Sequence, residues 1–333
     1  MDLRRVQITG GSSFMITLPK EWGNSVGLKK NDSVGLQAQP DGSLTLYPTG
    51  SAPEIKRTTK VIDATNIKTR GFLYRQLVGA YIAGHMTIVV TSDPPMPSVV
   101  TTASSSFVQT AIGLETIEAD DSHILISDLM EQSAVNTKKI VEKMRLLVKG
   151  MIHDMYDAAF TGDVDSLRDM NFRYAEINRV HGLIARQCNI AMKDATASRK
   201  MNVPLYELSS CLSLSRVLVS IGNHAISTSN YLVLISDVGD LRRVDECIYK
   251  TGEGISEILT NSIESWINKD IVLAEQMISD IDGVISSIND KVVSNIKAHN
   301  ASEYVREIVL FSSKRIMENC RIITELAFNR AMD

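Results

Sequence analysis

Proline placement is the feature of this sequence that most constrains its fold. The chain has 333 residues and eight prolines, and only Pro204 lies beyond Pro97. Because proline breaks helix interiors and is excluded from central strands, long helices are expected after about residue 130 and mixed structure before it. A chain of this length can hold two or three domains, each with its own core.

The first fifty residues predict a small β domain. Apolar and polar residues alternate over Leu3–Thr9 and Ser13–Leu18, and Gly10-Gly11 between them supplies the positive φ angles of a tight hairpin. Pro19 then suits the first turn of a short helix that contains Trp22. The segment therefore predicts a strand, a tight turn, a second strand and a helix.

A second hairpin is predicted to complete this domain. Residues 33–39 and 43–47 alternate as strands around the turn residues Pro40-Asp41-Gly42. The stretch from Pro48 to Pro53 is typical of a linker. We therefore expect a domain boundary at about residue 50.

Residues 54–130 predict a small α/β module. Strands are expected at 60–64 and 86–91, helices at 70–84 and 98–113, and a closing hairpin at 115–119 and 123–126. The module carries no phosphate loop and no recognisable catalytic set. Its role stays open among a spacer, a small-ligand domain and a second dimer contact.

The remainder of the chain, 131–333, predicts a helical body. Apolar residues recur at helical spacing, as in Ile140, Met144 and Met151. Six helices are expected, near 132–160, 164–194, 203–236, 240–266, 270–298 and 302–331. Asp163 and Asp270 are expected helix N-caps. The pattern suggests two consecutive three-helix units, which would make an internal repeat.

Net charge and cysteine content indicate the cellular compartment and limit the kinds of partner. The net charge is −4, so any surface that contacts nucleic acid must be local. The four cysteines form no CxxC pair and are expected to be reduced, buried thiols. The chain shows no signal peptide and no apolar run of membrane-spanning length. These features favour a soluble, cytoplasmic protein.

One local excess of positive charge lies at the N-terminus. Residues 1–30 carry five basic residues against two acids. By charge alone this excess fits both a DNA-contacting face and a solvated strand edge. The basic side chains are Arg4, Arg5, Lys20, Lys29 and Lys30.

The N-terminal motifs resemble a known family. The stretches Val6–Ser13, Leu18–Trp22 and Gly27–Asp32 are similar to the AbrB/SpoVT/MazE swapped-hairpin family. Members dimerise by interleaving hairpins and commonly bind DNA with the shared basic face. The resemblance implies that the five basic residues contact double-stranded DNA, and that Trp22 staples the dimer core.

The helical body resembles PhoU, the phosphate-uptake regulator. The segments that carry this resemblance are Ile177–Gln187 and Ser220–Ala225. The implied fold is multidomain: a small N-terminal β swapped-hairpin, a small α/β middle module and a C-terminal all-α, six-helix double three-helix bundle. The combination is similar to archaeal PhoU-type proteins with an AbrB-like head, in domains 1–50, 54–130 and 131–333.

PhoU proteins often carry pairs of carboxylates that bind metal clusters, and this chain departs from that pattern. The first repeat has Tyr174 and Asn178 where two carboxylates would stand, and the second has Ile278 and Asp282. An i,i+4 carboxylate pair would put two oxygen ligands on one helix face. We therefore expect no cofactor and no metal. The remaining candidate ligands are Asp282, Glu318 and Glu325.

Three functional classes can be weighed. The leading hypothesis is a dimeric, DNA-binding transcriptional regulator of phosphate uptake and homeostasis. The alternative is an adaptor that binds no DNA, whose helical body docks on a phosphate-transporter ATPase or a sensor kinase. An enzyme is not expected, because no Ser-His-Asp set, Walker loop or dinucleotide fingerprint is present.

Overall fold

The structure, a computed structural model, describes residues 3–11, 13–38, 42–48, 58–130, 136–237, 243–298 and 304–332. The chain divides into two compact units, Met1–Lys56 and Arg57–Asp333. Three predicted features lie outside the described residues: the turn residues Pro40 and Asp41, the linker after Pro48 and the helix break at 238–240.

The first unit contains two antiparallel hairpins and a short helix. Strand β1 is Gln7–Thr9 and β2 is Ser13–Met15, with Gln7 opposite Met15. The φ angles of Gly10 and Gly11 are 65° and 78°, as the turn prediction required. Both strands are shorter than predicted. Among the described residues the pairing ends at Gln7 and Met15, so the strands reach neither Leu3 nor Leu18.

The rest of the first unit follows the predicted order. Helix α1 is Lys20–Ser25, preceded by Pro19 in extended conformation, and β3 (Val34–Ala38) pairs with β4 (Leu44–Pro48). Gly35 lies opposite Tyr47, and a Cβ on Gly35 would come within 2.3 Å of the Tyr47 ring. The tyrosine ring therefore covers the backbone of the glycine, an arrangement that holds this pair in register.

The second unit begins with the α/β module, which the sequence predicted. Its sheet has the order β5–β6–β8–β7, in which β5 is parallel to β6 and the other two pairs are antiparallel. The bounds are β5 Thr59–Asp63, α2 Arg70–Ile82, β6 Thr87–Thr91, α3 Ser98–Thr110, β7 Leu114–Ala119 and β8 His123–Asp128.

Alternation along the central strands builds the core of this module. Ile88 and Val90 of β6 and Ile124 and Ile126 of β8 are buried, while their neighbours in sequence face outward. They pack in one cluster with buried residues of α2 and α3, including Phe107. The two helices thus cover one face of the sheet, and the period of two in the strands sets which residues they cover.

The helical body consists of two three-helix units, as predicted. Helices α4, α5 and α7 pack pairwise, helices α8, α9 and α10 do the same, and contacts of α4 with α8 and of α7 with α10 join the units. One continuous core runs through both. The bounds are α4 Thr137–Thr161, α5 Met170–Lys193, α6 Ala195–Met201, α7 Leu205–Asp237, α8 Glu246–Asn268, α9 Ile271–Ala298 and α10 Tyr304–Ala331.

The predicted helix starts are half right. The Asp270 carboxylate accepts hydrogen bonds from the N–H groups of Val272 and Leu273, so it caps α9 as expected. The Asp163 carboxylate accepts from the N–H of Asp165 in a turn, and a 3₁₀ helix over Asp165–Asp169 comes before α5. Asp163 therefore does not begin α5. The short helix α6 was not predicted.

The cysteines also depart in part from expectation. Cys188, Cys211 and Cys320 are free and buried, and burial raises the pKa of the Cys211 thiol to about 12. Cys247 is free but exposed, because it lies in the first turn of α8 on the side away from the core. The prediction of buried thiols is wrong for this residue.

A buried glycine allows α4 and α8 to approach closely. Gly252 of α8 lies against the Tyr156 ring of α4, and a Cβ there would come within 2.5 Å of the ring. Tyr156 cannot move aside easily, because its ring is buried in the core and its hydroxyl is hydrogen-bonded to the Ser313 hydroxyl of α10. This contact therefore admits no side chain larger than hydrogen.

We predict that Gly252→Ala destabilises the protein by about 1–3 kcal/mol, because overpacking against a fixed ring outweighs the gain in helix propensity. The matched control is Gly254→Ala on the same helix, where a Cβ meets nothing within 4 Å. That change should stabilise the helix by about 0.5–1 kcal/mol. Urea denaturation compares the two variants, and equal effects would contradict the packing argument.

Side chains of one helix fix the α/β module on the helical body. Arg186 is buried, and its guanidinium donates to the carbonyl oxygens of Tyr81 and His85 at 2.7 and 2.9 Å. The same group donates to the Asp128 carboxylate at 2.7 Å. These bonds join α5 to the end of α2 and to the end of β8.

Two further residues of α5 extend this contact. Asn189 donates to the Ile82 carbonyl at 2.9 Å, and Lys193 donates to the Ala83 carbonyl at 2.7 Å. The last carbonyls of a helix have no partner within the helix and favour positive charge nearby. We refer to Arg186, Asn189 and Lys193 as the α5 clamp, since together they satisfy the C-terminal end of α2.

We predict that Asp128→Asn costs about 3–5 kcal/mol of stability, because it leaves the Arg186 charge buried without its counter-ion. The matched control is Asp165→Asn, which breaks an exposed pair with Arg168 and should cost less than about 1 kcal/mol. The free energies of unfolding in urea give the comparison. Similar losses in both variants would show that the buried pair contributes no more than a surface one.

Candidate nucleic-acid interface

The five basic residues of the first unit are all exposed. Arg4 and Arg5 lie just ahead of Val6 and β1, and Lys20 is the first residue of α1. Lys29 and Lys30 lie in the turn after α1. Their positive charge is therefore accessible to a polyanion at three places along the segment.

The turn that carries Lys29 and Lys30 is built by its neighbours. The Asp32 carboxylate accepts a hydrogen bond from the Lys29 N–H at 2.7 Å, and the Lys29 carbonyl accepts from the Asp32 N–H at 3.2 Å. Asn31 between them has a φ angle of 74°, a left-handed conformation that asparagine tolerates. Local hydrogen bonds thus hold both lysines on a defined turn.

The described residues of the first unit, 3–11, 13–38 and 42–48, form no buried core. None of its described residues is buried, although a stable domain normally buries most of its large apolar side chains. Ile8 and Phe14 are opposite each other on β1 and β2 and are 70% and 78% exposed. Leu36 and Leu44 of the second hairpin are also exposed. An isolated hairpin of this kind is marginally stable in water.

Two of the three candidate metal ligands of the helical body pair with arginines. Asp282 of α9 forms an ion pair with Arg321 of α10, and Glu318 of α10 is 2.8 Å from Arg315 on the same helix. Glu325 is exposed. A guanidinium thus lies within ion-pair distance of two of the three carboxylates. A metal ion at either carboxylate would have to displace it.

The corresponding positions of the first three-helix unit are uncharged. Asn178 donates from Nδ2 to the Tyr174 carbonyl of its own helix at 2.8 Å. The Tyr174 ring lies beside Gly222 of α7, where a Cβ would be 3.4 Å away. On α7, partial burial lowers the pKa of His224 and the nearby Arg315 adds to this effect. This arrangement packs two helices together and presents no carboxylate pair.

Within the described residues, one group of three side chains has metal-ligand spacing, and it lies elsewhere. It consists of Glu118, Asp120 and His123 on the β7–β8 hairpin. His123 Nδ1 is 2.8 Å from Asp120 and Nε2 is 3.6 Å from Glu118. Backbone N–H groups of Ser122 and His123 also bond to the Asp120 carboxylate and lower its pKa to about 2. These bonds close the hairpin turn.

Family models match two parts of the chain. Residues 7–54 match a model described as antidote-toxin recognition MazE, bacterial antitoxin, and the match includes all four strands of the first unit. Residues 141–232 match the PhoU domain. The second match spans α5 and most of α4 and α7, which form the first three-helix unit. Both resemblances noted from the sequence are thereby confirmed.

The comparisons with curated proteins and with solved structures add little to these family matches. No curated protein matches the chain. Among solved structures, a crystal structure of PhoU from Pseudomonas aeruginosa is 18% identical, with a TM-score of 0.47, and the alignment covers 59% of this chain and 96% of that one. Among the described residues, no helix is long and apolar enough to cross a membrane.

Sequence reasoning missed the α5 clamp. Arg186 contacts residues about 100 positions earlier, Tyr81 and His85, and no local pattern predicts such a pairing. The signal that could have found it is an arginine on the apolar face of a helix, between Ile184 and Ile190. A buried arginine requires hydrogen-bond partners, but the sequence does not identify which residues provide them.

Proposed function

We propose that this protein is a dimeric, DNA-binding transcriptional regulator of phosphate uptake that acts in the cytoplasm. The observation that carries the proposal is the first unit, which presents five exposed basic residues and in its described part buries no apolar side chain. The match to a MazE-type model supports a paired, nucleic-acid-binding head. The match to the PhoU domain supports a link to phosphate uptake.

The exposed apolar side chains described in the first unit support dimerisation. Ile8, Phe14 and Leu36 each leave more than half of their side chain in water, and burial of apolar area stabilises a fold by about 25 cal/mol per Å². A second copy of the same segment offers a complementary apolar surface. Interleaved hairpins would bury these side chains between two protomers and complete one shared core.

DNA binding is proposed because a dimer would double the number of basic residues on one surface. One protomer contributes a modest local excess of positive charge, and the dimer brings two such sets together on one surface. Lysine and arginine contacts to phosphates supply most of the sequence-independent affinity for duplex DNA. The net charge of −4 for the whole chain would confine DNA to this surface and keep it away from the helical body.

The helical body is proposed to receive the signal from the phosphate-transport machinery and to act on the head through the dimer. A second candidate function is the adaptor that docks on a transporter ATPase or sensor kinase and binds no DNA. The observation that favours it is a pair of exposed aromatic side chains on neighbouring helices. Tyr231 of α7 and Phe311 of α10 are 55% and 65% exposed and line the same groove.

We predict that the double change Ile8→Asp with Phe14→Asp converts the dimer to a monomer, because two charges would have to be buried in the shared core. The control is Phe172→Asp on α5, a phenylalanine that is 70% exposed on the helical body. It should leave the dimer intact. Sedimentation velocity measures the mass of each species, and a dimer that survives the double change would contradict the swapped-hairpin arrangement.

We also predict that the protein binds a 30-base-pair duplex with an affinity that falls as salt rises. Arg4→Ala with Arg5→Ala should weaken binding at least about tenfold at low salt and should reduce the slope of log K against log salt by up to about 3–4 in the dimer, since each lost phosphate contact removes about 0.9. Fluorescence anisotropy of a labelled duplex gives both quantities.

The control for charge removal is Lys138→Ala with Lys139→Ala, two exposed lysines at the start of α4. These changes should leave the affinity and the slope unchanged. If the wild-type protein shows no binding, or if the arginine variant behaves like this control, the head only dimerises and the adaptor function is favoured.

A further inference from the structure

The outer edge of β5 is an unpaired sheet edge beside an open groove. In the described part of the chain, β5 pairs only with β6 and ends the sheet of the α/β module. The groove beside it has a volume of about 550 Å³ and is lined by β5 and by one face of α2. A strand edge next to a helix is the geometry at which a further strand can add to a sheet.

The backbone of β5 has hydrogen-bonding groups on this open side. The Ala64 N–H, just after β5, donates to the Thr91 carbonyl of β6 at 2.7 Å. Because alternate residues of a strand in a parallel pair bond to the same neighbour, the even-numbered residues of β5 face β6. The N–H and C=O groups of Thr59, Val61 and Asp63 therefore point outward.

The two edges of the sheet differ in how they are protected. The other outer strand, β7, has a register shift between Thr116 and Glu118, and such a bulge hinders pairing with a further strand. The register of β5 is continuous from Thr59 to Asp63, and the strand contains no proline. The β5 edge is therefore the one on which a second strand fits.

The face of α2 that lines the groove is made of small residues. Gly79, Ala80 and Ala83 lie there, and a Cβ on Gly79 would meet nothing within 4 Å. Helix α2 connects β5 to β6 and shares their core cluster. Since neighbouring strands are about 4.8 Å apart, two such helices on either side of a two-fold axis at the β5 edge would be about 10 Å apart. That is the distance of directly packed helices.

We propose that the β5 edge pairs with the β5 edge of a second copy of this chain. Two four-stranded sheets would then form one continuous sheet, with antiparallel β5 strands at its centre and the two α2 helices packed across the two-fold axis. This contact rests on the proposed dimeric head, because the head brings the two modules together.

The residues of β5 fit one register. When the axis passes through Val61, this residue stands opposite Val61 of the second copy, and Thr59 stands opposite Asp63. Pairs of β-branched residues and pairs of a hydroxyl with a carboxylate stabilise antiparallel strands. A shift of the partner by two residues would put Lys60 opposite Lys60 of the second copy, and like charges directly opposite each other are destabilising.

The same register supplies a partner for a buried acceptor. Gln76 Oε1 lines the groove and has no hydrogen-bond partner among the described residues. Gln76 lies six residues, or about 9 Å, before the end of α2, which is level with Ile62 on β5. Lys60 of the second copy would stand opposite Ile62, on the face of the sheet that α2 covers, and its ammonium group is a donor for this oxygen.

The contact is small and depends on the tether to the head. It involves one five-residue strand and one helix face of each copy, which is less than a stable dimer usually buries. Pro48 at the end of β4 and Thr59 at the start of β5 are 11 positions apart, a span of at most about 40 Å. A short tether gives an effective concentration on the order of millimolar. The modules therefore pair within a head dimer.

Cysteine cross-linking of the full-length protein tests the proposal. Opposed residues of a hydrogen-bonded antiparallel pair have Cα atoms about 5.5 Å apart, which a disulfide can span. Val61→Cys should therefore form a covalent dimer under mild oxidation, as seen by non-reducing electrophoresis. The control is Ile117→Cys on β7, since Val61 and Ile117 are 58% and 52% exposed. Both variants carry Cys247→Ser, which removes the native exposed thiol.

A second change tests the packing of α2 on α2. Gly79→Arg has room in a single module but would bring two bulky, like-charged side chains together across the axis. It should slow cross-linking through Val61→Cys about tenfold or more. The control is Gly283→Arg, at an exposed glycine of α9 where a Cβ also meets nothing within 4 Å. It should leave the rate unchanged.

The head variant Ile8→Asp with Phe14→Asp tests the role of the tether. In this background, cross-linking through Val61→Cys should fall to the level of Ile117→Cys at micromolar protein. It should recover at millimolar protein, which matches the concentration that the tether supplies. Unchanged cross-linking at micromolar protein would show that the modules pair without the head, which contradicts the tethered contact.

Sedimentation velocity of the same samples separates this proposal from dimerisation of the head. A dimer in which Val61→Cys cross-links no faster than Ile117→Cys keeps the head dimer and overturns the module contact. Equal rates in Gly79→Arg and Gly283→Arg overturn the packing of α2. If the wild-type chain sediments as a monomer, the head dimer is wrong. Absence of the Val61→Cys cross-link at millimolar protein then overturns the module contact as well.

Discussion

The buried guanidinium of Arg186 is the interaction on which the second unit depends. It links one helix of the bundle to the end of α2 and to the end of β8, and it carries a full charge into a site with almost no water. A buried charge is tolerated only when its hydrogen bonds are complete. Here two carbonyls and one carboxylate meet that requirement.

The consequence is that the α/β module and the bundle share one rigid contact. Because α5 holds the end of α2, the face of α2 that carries Tyr74 and Tyr81 is set opposite the N-terminal half of α5. The cleft between them therefore has fixed walls.

The helical body holds few free carboxylates at the positions that the sequence analysis singled out. Tyr174 and Asn178 occupy two of these positions on α5, and Asp282 of α9 stands beside Arg321. An arginine next to a carboxylate supplies positive charge without any ion. The helix packing of the body, including the close approach at Gly252, does not depend on these positions.

Local rules account for most of the secondary structure. Proline placement separated the mixed region from the helices, the Gly10-Gly11 turn formed as its φ preference requires, and the apolar period of the body placed its six long helices. The prediction of a helix start was wrong where a local turn competed with a helix cap. The Asp163 carboxylate closes such a turn and does not cap α5. Strands of the first unit were overestimated because alternation says nothing about where a partner strand ends.

The features of the candidate sites also divide into those that local sequence reveals and those that depend on long-range contacts. The basic residues of the head were visible in the sequence, because they depend only on which residue stands at a position. The α5 clamp and the pairing of Asp282 with Arg321 were not, because each joins residues that are 39 or more positions apart.

By itself, then, the sequence determined the order of the elements, the family likeness of both ends and the charge of the head. Only the tertiary structure decided which buried polar groups satisfy one another, as at Arg186 and Asp128. The physical reason is that helical and strand periods act over a few residues, whereas the satisfaction of a buried group is a property of the folded contact.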